Sequence, residues 1–231
     1  MSKPTNIFIV RHGRSAANED RQVFSHTPDY AVRLTTVGHE QALGAGHRIA
    51  KLATGPLYCW YSPYFRTRDT LLDIAHNCKI HRAIEDPRIR EQEWGTVLRV
   101  PSDNIETERD NYGHCYYRID NGESCADAFD RVSDFIGSMW REFEKPTFPN
   151  DVLIVTHGMT MRVFLMRWLH LSVEQFELLA NPDNCGIYHL QLDRDTDRYH
   201  LVGEPKLYPG VRHQFAYDKI ASLQVLANPD R

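Results

Sequence analysis

The sequence predicts an α/β fold: a three-layer sandwich with a mainly parallel central sheet and helices on both faces. Three observations carry that reading. Short apolar runs at 7–10, 57–61 and 151–155 read as strands buried on both faces. Stretches with helical spacing lie between them, which implies parallel pairing through right-handed crossovers. And two of the most apolar strands end alike, I-F-I-V-R-H-G at 7–13 and V-L-I-V-T-H-G at 152–158.

The elements follow in order. After the first strand, 14–20 can form a short helix with Ser15 placed to cap it, and 21–33 is polar, aromatic and loop-like. Thr35 or Thr36 caps a helix running to Leu52, and Gly55-Pro56 stops it. A strand at 57–61 ends at Ser62-Pro63, and 65–75 has helical spacing with Arg66 in its first turn. A weaker strand spans 80–84. Residues 95–122 lack periodicity and read as a long, partly helical, flap-like crossover. Gly122-Glu123-Ser124 then leads into an amphipathic helix with Ala128, Val132, Phe135, Ile136, Met139 and Phe143 at core spacing. The strand at 151–155 is followed by helices at 159–169 and 173–179. Strands at 187–192 and 199–202 form a closing hairpin. A C-terminal extension from about 205 contains a docking helix at 220–227. With no repeat, low-complexity segment or linker, the whole of 1–231 reads as a single catalytic domain.

Composition sets outer limits. The 231 residues suffice for a sizeable core, and charged and hydrophobic fractions of 25% and 42% are ordinary for a globular chain. A formal net charge of −4 gives no global attraction for nucleic acid or an anionic membrane, so any anion site must be local. Nothing reads as a signal peptide or a membrane span. Five cysteines without C-x-x-C spacing fit reduced thiols, and the expected location is cytoplasmic.

In an open α/β sheet, ligands bind beyond the carboxyl ends of the strands. If the two strands ending in His-Gly are neighbours, His12 and His157 emerge there side by side. Two such histidines suit either a metal or nucleophilic and acid–base chemistry. Arg11, Arg14 and Arg66 surround them with permanent positive charge, which opposes a divalent cation and suits a phosphoryl group. Cationic surroundings also bias His12 toward the neutral form that a nitrogen nucleophile needs. Expulsion of an alkoxide then requires a nearby acid. Glu91, Glu93, Glu123 and Asp86 are candidates, and Glu91 and Glu93 share one face of an extended segment, so spacing does not choose between them.

These residues resemble a known family. Arg11-His12-Gly13 with Ser15 and Asn18 is similar to the R-H-G-x-S-x-x-N signature of the histidine phosphatase superfamily, the phosphoglycerate-mutase-like proteins. Further blocks match in order: L-T-x-x-G-x-x-Q-A at 34–42, S-P-Y-F-R-T-R-D-T at 62–70, I-R-E-Q-E-W-G at 89–95, G-E-S at 122–124, and H-G-x-x-x-R at 157–162. R-E-Q-E-W-G, Y-G-H-C-Y-Y-R, N-G-E-S and M-R-V-F-L-M-R-W look like a eukaryotic mutase-like subgroup of uncertain substrate.

The resemblance implies roles. His12 would be the phosphorylated nucleophile; Arg11, Arg66 and His157 would clamp the transferring group; Glu91 would be general acid and then base. Asn18, Ser15 and backbone N–H groups near Gly13 and Gly158 would complete the phosphate cradle. No metal or organic cofactor is implied. The expected function is a metal-independent phosphomonoesterase acting through phosphohistidine on a small phosphorylated metabolite. Mutase-type phosphoryl transfer is the first alternative, in which Arg99, Arg109 or Arg118 would reach the substrate. A catalytically weak phospho-ligand sensor is the second. The expected partner is that small substrate, with neither nucleic acid nor membrane, and a homodimer is the self-association considered.

The remaining features have plainer readings. Arg68 and Asp69 read as a solvated helix face, Arg162 as a helix anchor, Trp94 as packing for the Glu91 segment, and Tyr112, Tyr116 and Tyr117 as a packed flap. His39, His47, His76 and His81 read as surface histidines, with His26 or His114 able to edge the pocket.

Overall fold

The computed structural model describes residues 3–98 and 104–209. Arg99 and the helix expected at 220–227 lie outside the described residues.

Six strands form one sheet in the order β3-β2-β4-β1-β5-β6. In chain order they are β1 (Asn6–Arg11), β2 (Leu57–Tyr61), β3 (Ile80–Glu85), β4 (Asp151–Thr156), β5 (Ile187–Asp193) and β6 (Arg198–Val202). The first four are parallel, whereas β5 and β6 form an antiparallel hairpin added beside β1. The two most apolar strands, β1 and β4, are adjacent and central, with Val10 opposite Val155 and Arg11 opposite Thr156. That register sets the residues that follow them, His12 and His157, next to one another.

Side-chain alternation divides the core into two layers. Ile7 and Ile9 point to one face of the sheet and pack with α5 (Cys125–Phe143) and α6 (Gly158–Trp168). Phe8 and Val10 point to the other, against α2 (Thr36–Leu52) and α3 (Phe65–Ala75). Helices therefore cover both faces. Helix α5 buries Ala128, Val132, Phe135, Ile136, Met139 and Phe143, the stripe that its periodicity marks. Its start is fixed by a reciprocal capping box between Ser124 and Asp127. Thr35 caps α2 by accepting the Gly38 N–H.

The remaining helices are short: α1 (Ala16–Glu19), α4 (Ile105–Tyr112) and α7 (Val173–Glu177). The loop at 21–33 is less irregular than its composition implies, since 3₁₀ turns occupy Arg21–Ser25 and Asp29–Ala31. One plainer reading needs correction: Asp69 is not on a solvated face. It is buried and accepts from Arg33 Nη1 at 2.6 Å, while Arg68 does pair near the surface with Glu85. Arg162 is a helix anchor as read. It is 1% exposed, lies over the Phe176 ring and donates to the Phe176 carbonyl.

The turn after β1 depends on glycine. A Cβ at Gly13 would lie 2.4 Å from the Gly38 carbonyl oxygen, and one at Gly38 would lie 2.1 Å from the Arg14 carbonyl oxygen. Both obstacles are backbone, which no rotamer change relieves. Gly13→Ala is expected to destabilise the fold by about 1–3 kcal/mol, the usual range for overpacking. A urea midpoint equal to that of the parent chain would remove this steric account.

Candidate active site

Beyond the carboxyl ends of β1 and β4 lies a cleft of about 310 Å³. Its lining includes Arg11, His12, Ser15, Asn18, Arg66 and Glu91, joined by Arg21, Asp29, Trp94 and Asn181. Six of the nine site residues expected from the sequence thus share one cavity. His157 lies directly behind, its ring centroid 5.3 Å from that of His12. Gly13 and Gly158 shape the backbone instead. The Gly13 N–H donates to Thr70 Oγ1, and Gly158 leaves room for the Asn181 side chain.

The His12 ring is held in one chemical form. Its Nδ1 lies 2.7 Å from the Gly13 carbonyl oxygen, which can only accept, so Nδ1 carries the proton and Nε2 keeps its lone pair. The residue is only 4% exposed. Burial, followed by the charges of Arg66 and Arg11, holds its imidazole well below the ordinary histidine range, and the ring is neutral. The backbone is pinned too: His12 N–H donates to the Thr156 carbonyl, and Asn184 Nδ2 donates to the His12 carbonyl at 3.1 Å.

Around this ring, buried donors lack partners. His157 is fully buried, and burial is the main cause of its strongly lowered pKa, with Arg66 next. Its Nε2 lies 2.7 Å from Ser62 Oγ, whereas its Nδ1 is buried with no hydrogen-bond partner. Arg11 donates from Nη1 to the Pro182 carbonyl at 2.6 Å, and its Nε is likewise buried without a partner. Arg66 is 5% exposed and donates from Nη1 to the Asp29 carboxylate at 2.8 Å and to the Asp29 carbonyl at 2.7 Å. Asn18 accepts through Oδ1 from the Ser15 N–H, the Ser15 hydroxyl and Asn184, which leaves its amide N–H groups for the cleft.

The four candidate carboxylates separate cleanly. Glu91 lines the cleft with its carboxylate at the start of α6, accepting from the Met159 and Thr160 N–H groups at 3.4 and 3.3 Å and from its neighbour Gln92 at 3.0 Å. Glu123 is committed to Arg90 and Arg131; burial opposes the charge, but the Arg131 hydrogen bonds prevail and hold its pKa below the usual carboxylate range. Asp86 pairs with Arg88. Glu93 faces a neighbouring compartment. Arg131 sets this arrangement: it donates to the carbonyls of Arg88, Arg90 and Glu91 and so fastens the acid-bearing segment to α5.

A family model described as the histidine phosphatase superfamily (branch 1) matches residues 7–205. The chain belongs to the histidine phosphatase superfamily. It is 40% identical over 211 residues to the phosphoglycerate mutase-like protein AT74 of Arabidopsis thaliana, covering 84% of this chain and 67% of that protein. It is 26% identical to the broad-range acid phosphatase DET1 of Saccharomyces cerevisiae, covering 87% and 89%. Its fold matches that of a mycobacterial glucosyl-3-phosphoglycerate phosphatase with a TM-score of 0.68 at 20% identity, covering 87% and 99%.

Several residues of this histidine phosphatase site escaped the sequence reading. Ser62 opens the motif block that holds Arg66, so its place in the block was available as a signal, but its bond to His157 spans 95 positions. Asp29 had no signal, being one polar residue in an aperiodic loop. Asn181 and Asn184 arrive from the turn before β5. Other expectations divide. Trp94 lines the cleft and also carries the Arg109 guanidinium on its ring at 4.9 Å. Arg109 is thereby buried, Arg118 pairs with Asp127, and neither is among the residues lining the cleft. Arg14 is exposed, and His26 and His114 lie outside the cleft lining.

Burial of two neutral histidines also has a consequence for stability. Both have folded-state pKa values below the unfolded value near 6.5, so at lower pH the unfolded chain binds protons that the folded chain does not. Their contribution is fully present above about pH 6.5. As pH falls it is lost at up to roughly 1.4 kcal/mol per unit for each ring. The urea midpoint is expected to fall between pH 7 and pH 5.5; a flat midpoint would show that the rings protonate in place.

Proposed function

We propose that this chain is a metal-independent phosphomonoesterase that forms a phosphohistidine on His12 Nε2. The observation that carries the reading is the fixed tautomer: the Gly13 carbonyl holds the proton on Nδ1 and leaves the Nε2 lone pair in a cationic cleft. The unpartnered donors around it, Arg11 Nε and His157 Nδ1, are groups that phosphoryl oxygens would satisfy. With the Ser62 hydroxyl donating to His157 Nε2, the second ring presents Nδ1–H to the anion. Arg66 adds the N–H groups that Asp29 leaves unused.

The chemistry has two halves. His12 Nε2 attacks phosphorus, the bond to the ester oxygen breaks, and Glu91 protonates the departing alkoxide. Water then attacks the phosphohistidine, Glu91 takes its proton, and inorganic phosphate leaves with His12 neutral again. Charge on the transferring group is met by guanidinium and imidazole N–H donors, so no step calls for a divalent ion. The five cysteines are free and buried, which supports our placing the enzyme in a reducing cytoplasm. No helix among the described residues is long and apolar enough to cross a membrane.

Hydrolysis of 4-nitrophenyl phosphate is expected to proceed without added metal and to survive a chelator unchanged. Loss of turnover in chelator would sink the metal-free mechanism. With 3-phosphoglycerate, phosphatase action releases inorganic phosphate; efficient isomerisation without phosphate release would instead establish a mutase.

A further inference from the structure

The phosphoryl cleft opens onto a second compartment of about 380 Å³, and the two share Phe24, Asp29 and Leu98 in their walls. Tyr64 stands between them. Its ring meets His157 edge-on at 5.0 Å and carries the Arg66 guanidinium at 4.7 Å, and the residue lines the second compartment. An ester whose phosphorus sits at His12 must send its alcohol portion somewhere, and this compartment adjoins the cleft.

The chemistry of its walls differs from that of the cleft. Phe24, Tyr30 and Tyr64 supply aromatic surface, and Asp29 and Glu93 supply carboxylates. No Lys, Arg or His is among its described lining residues. The two carboxylates are not equivalent. Asp29 is paired with Arg66, whereas the Glu93 side chain has no hydrogen-bond or ion-pair partner among the described residues. Burial, then the nearby charges of Asp29 and Glu123, pushes the Glu93 carboxyl up from its ordinary range, with Arg90 and Arg131 only partly opposing the shift. A cation placed there would offset the repulsion from Asp29 and Glu123, and aromatic faces favour a cation as well. A carboxylate-bearing alcohol would meet repulsion.

We infer that the compartment beside Tyr64 is the leaving-group subsite and that its unpaired Glu93, among aromatic rings, selects phosphomonoesters whose alcohol carries an ammonium group. This rests on the phosphatase reading and gives it a substrate class. Glu93 acts here on specificity, while His12 and Glu91 perform the bond changes.

The test compares near-isosteric esters: 2-aminoethyl, 2-hydroxyethyl and carboxymethyl phosphate. The expected kcat/KM is highest for 2-aminoethyl phosphate, about tenfold above 2-hydroxyethyl phosphate, equivalent to about 1.4 kcal/mol. Carboxymethyl phosphate is expected to be poorest. In Glu93→Gln the amino-to-hydroxyl ratio should collapse toward one, and in Glu93→Asp, which keeps the charge, a preference should remain. No amino preference in the parent chain, or an undiminished one in Glu93→Gln, overturns the inference. Binding of the non-hydrolysable analogues 3-aminopropyl- and 3-hydroxypropylphosphonate, measured by calorimetry, gives the same comparison without turnover. If no ester is hydrolysed but the aminophosphonate still binds more tightly through Glu93, the phosphatase reading fails and the subsite stands. If esters are hydrolysed with no amino preference, the reverse holds.

Discussion

His12→Ala is expected to lower phosphate release by on the order of 10⁴-fold or more, because it removes the proposed nucleophile. The remaining donors still bind the anion, but binding alone does not supply a covalent path. Parent enzyme quenched in alkaline denaturant should carry a phosphoryl group on histidine that is labile in acid and stable in alkali, and the variant should carry none. His12 is buried, so the variant's urea midpoint belongs in the same experiment to separate lost chemistry from lost fold. Full turnover by a folded His12→Ala protein would assign the nucleophile elsewhere.

Glu91→Gln is expected to act selectively. The amide keeps the size of the side chain but cannot deliver a proton to a departing alkoxide. Alkyl phosphates should slow by about 10²–10⁴-fold, the usual worth of a positioned general acid. 4-Nitrophenyl phosphate, whose leaving group needs little protonation, should lose far less in the first half-reaction. A plot of rate against leaving-group pKa therefore steepens in the variant. Equal losses for good and poor leaving groups would show that Glu91 shapes the pocket without donating the proton. A Gln side chain also meets the Met159 and Thr160 N–H groups, so an amide oxygen must face them; Glu91→Ala provides the control for that geometry.

What the sequence disclosed follows from the range of the interactions. The paired strand endings were legible because register is local: once β1 and β4 are neighbours, Arg11 opposite Thr156 brings His12 to His157. Arg66 was legible because it lies in the first turn of a helix that starts at the same sheet edge. Glu91 and Glu93 could not be separated by spacing. Their separation depends on Arg131, 40 residues beyond Glu91, which fastens the carbonyls before Glu93. It also depends on the Glu123 backbone, whose N–H donates to the Glu93 carbonyl. The Arg66–Asp29 pair was equally out of reach, since it joins a loop without periodicity to a helix 37 positions away. The resemblance to a family points to Glu91 by position, as the proposed acid and base. Only the folded chain gives a physical reason for it.

The glycine contact between the turn after β1 and the start of α2 also bears on how such a chain can vary over generations. Gly13 and Gly38 each exclude a side chain through the other segment's backbone, and the Arg14 N–H is tied to Gln41 Oε1 across the same seam. A substitution at either glycine has no compensating change at the other, because what it strikes is a carbonyl rather than a replaceable group. Drift is therefore blocked at both positions together. An engineer seeking new specificity should leave this seam intact and diversify the compartment walls at Phe24, Tyr30 and Glu93.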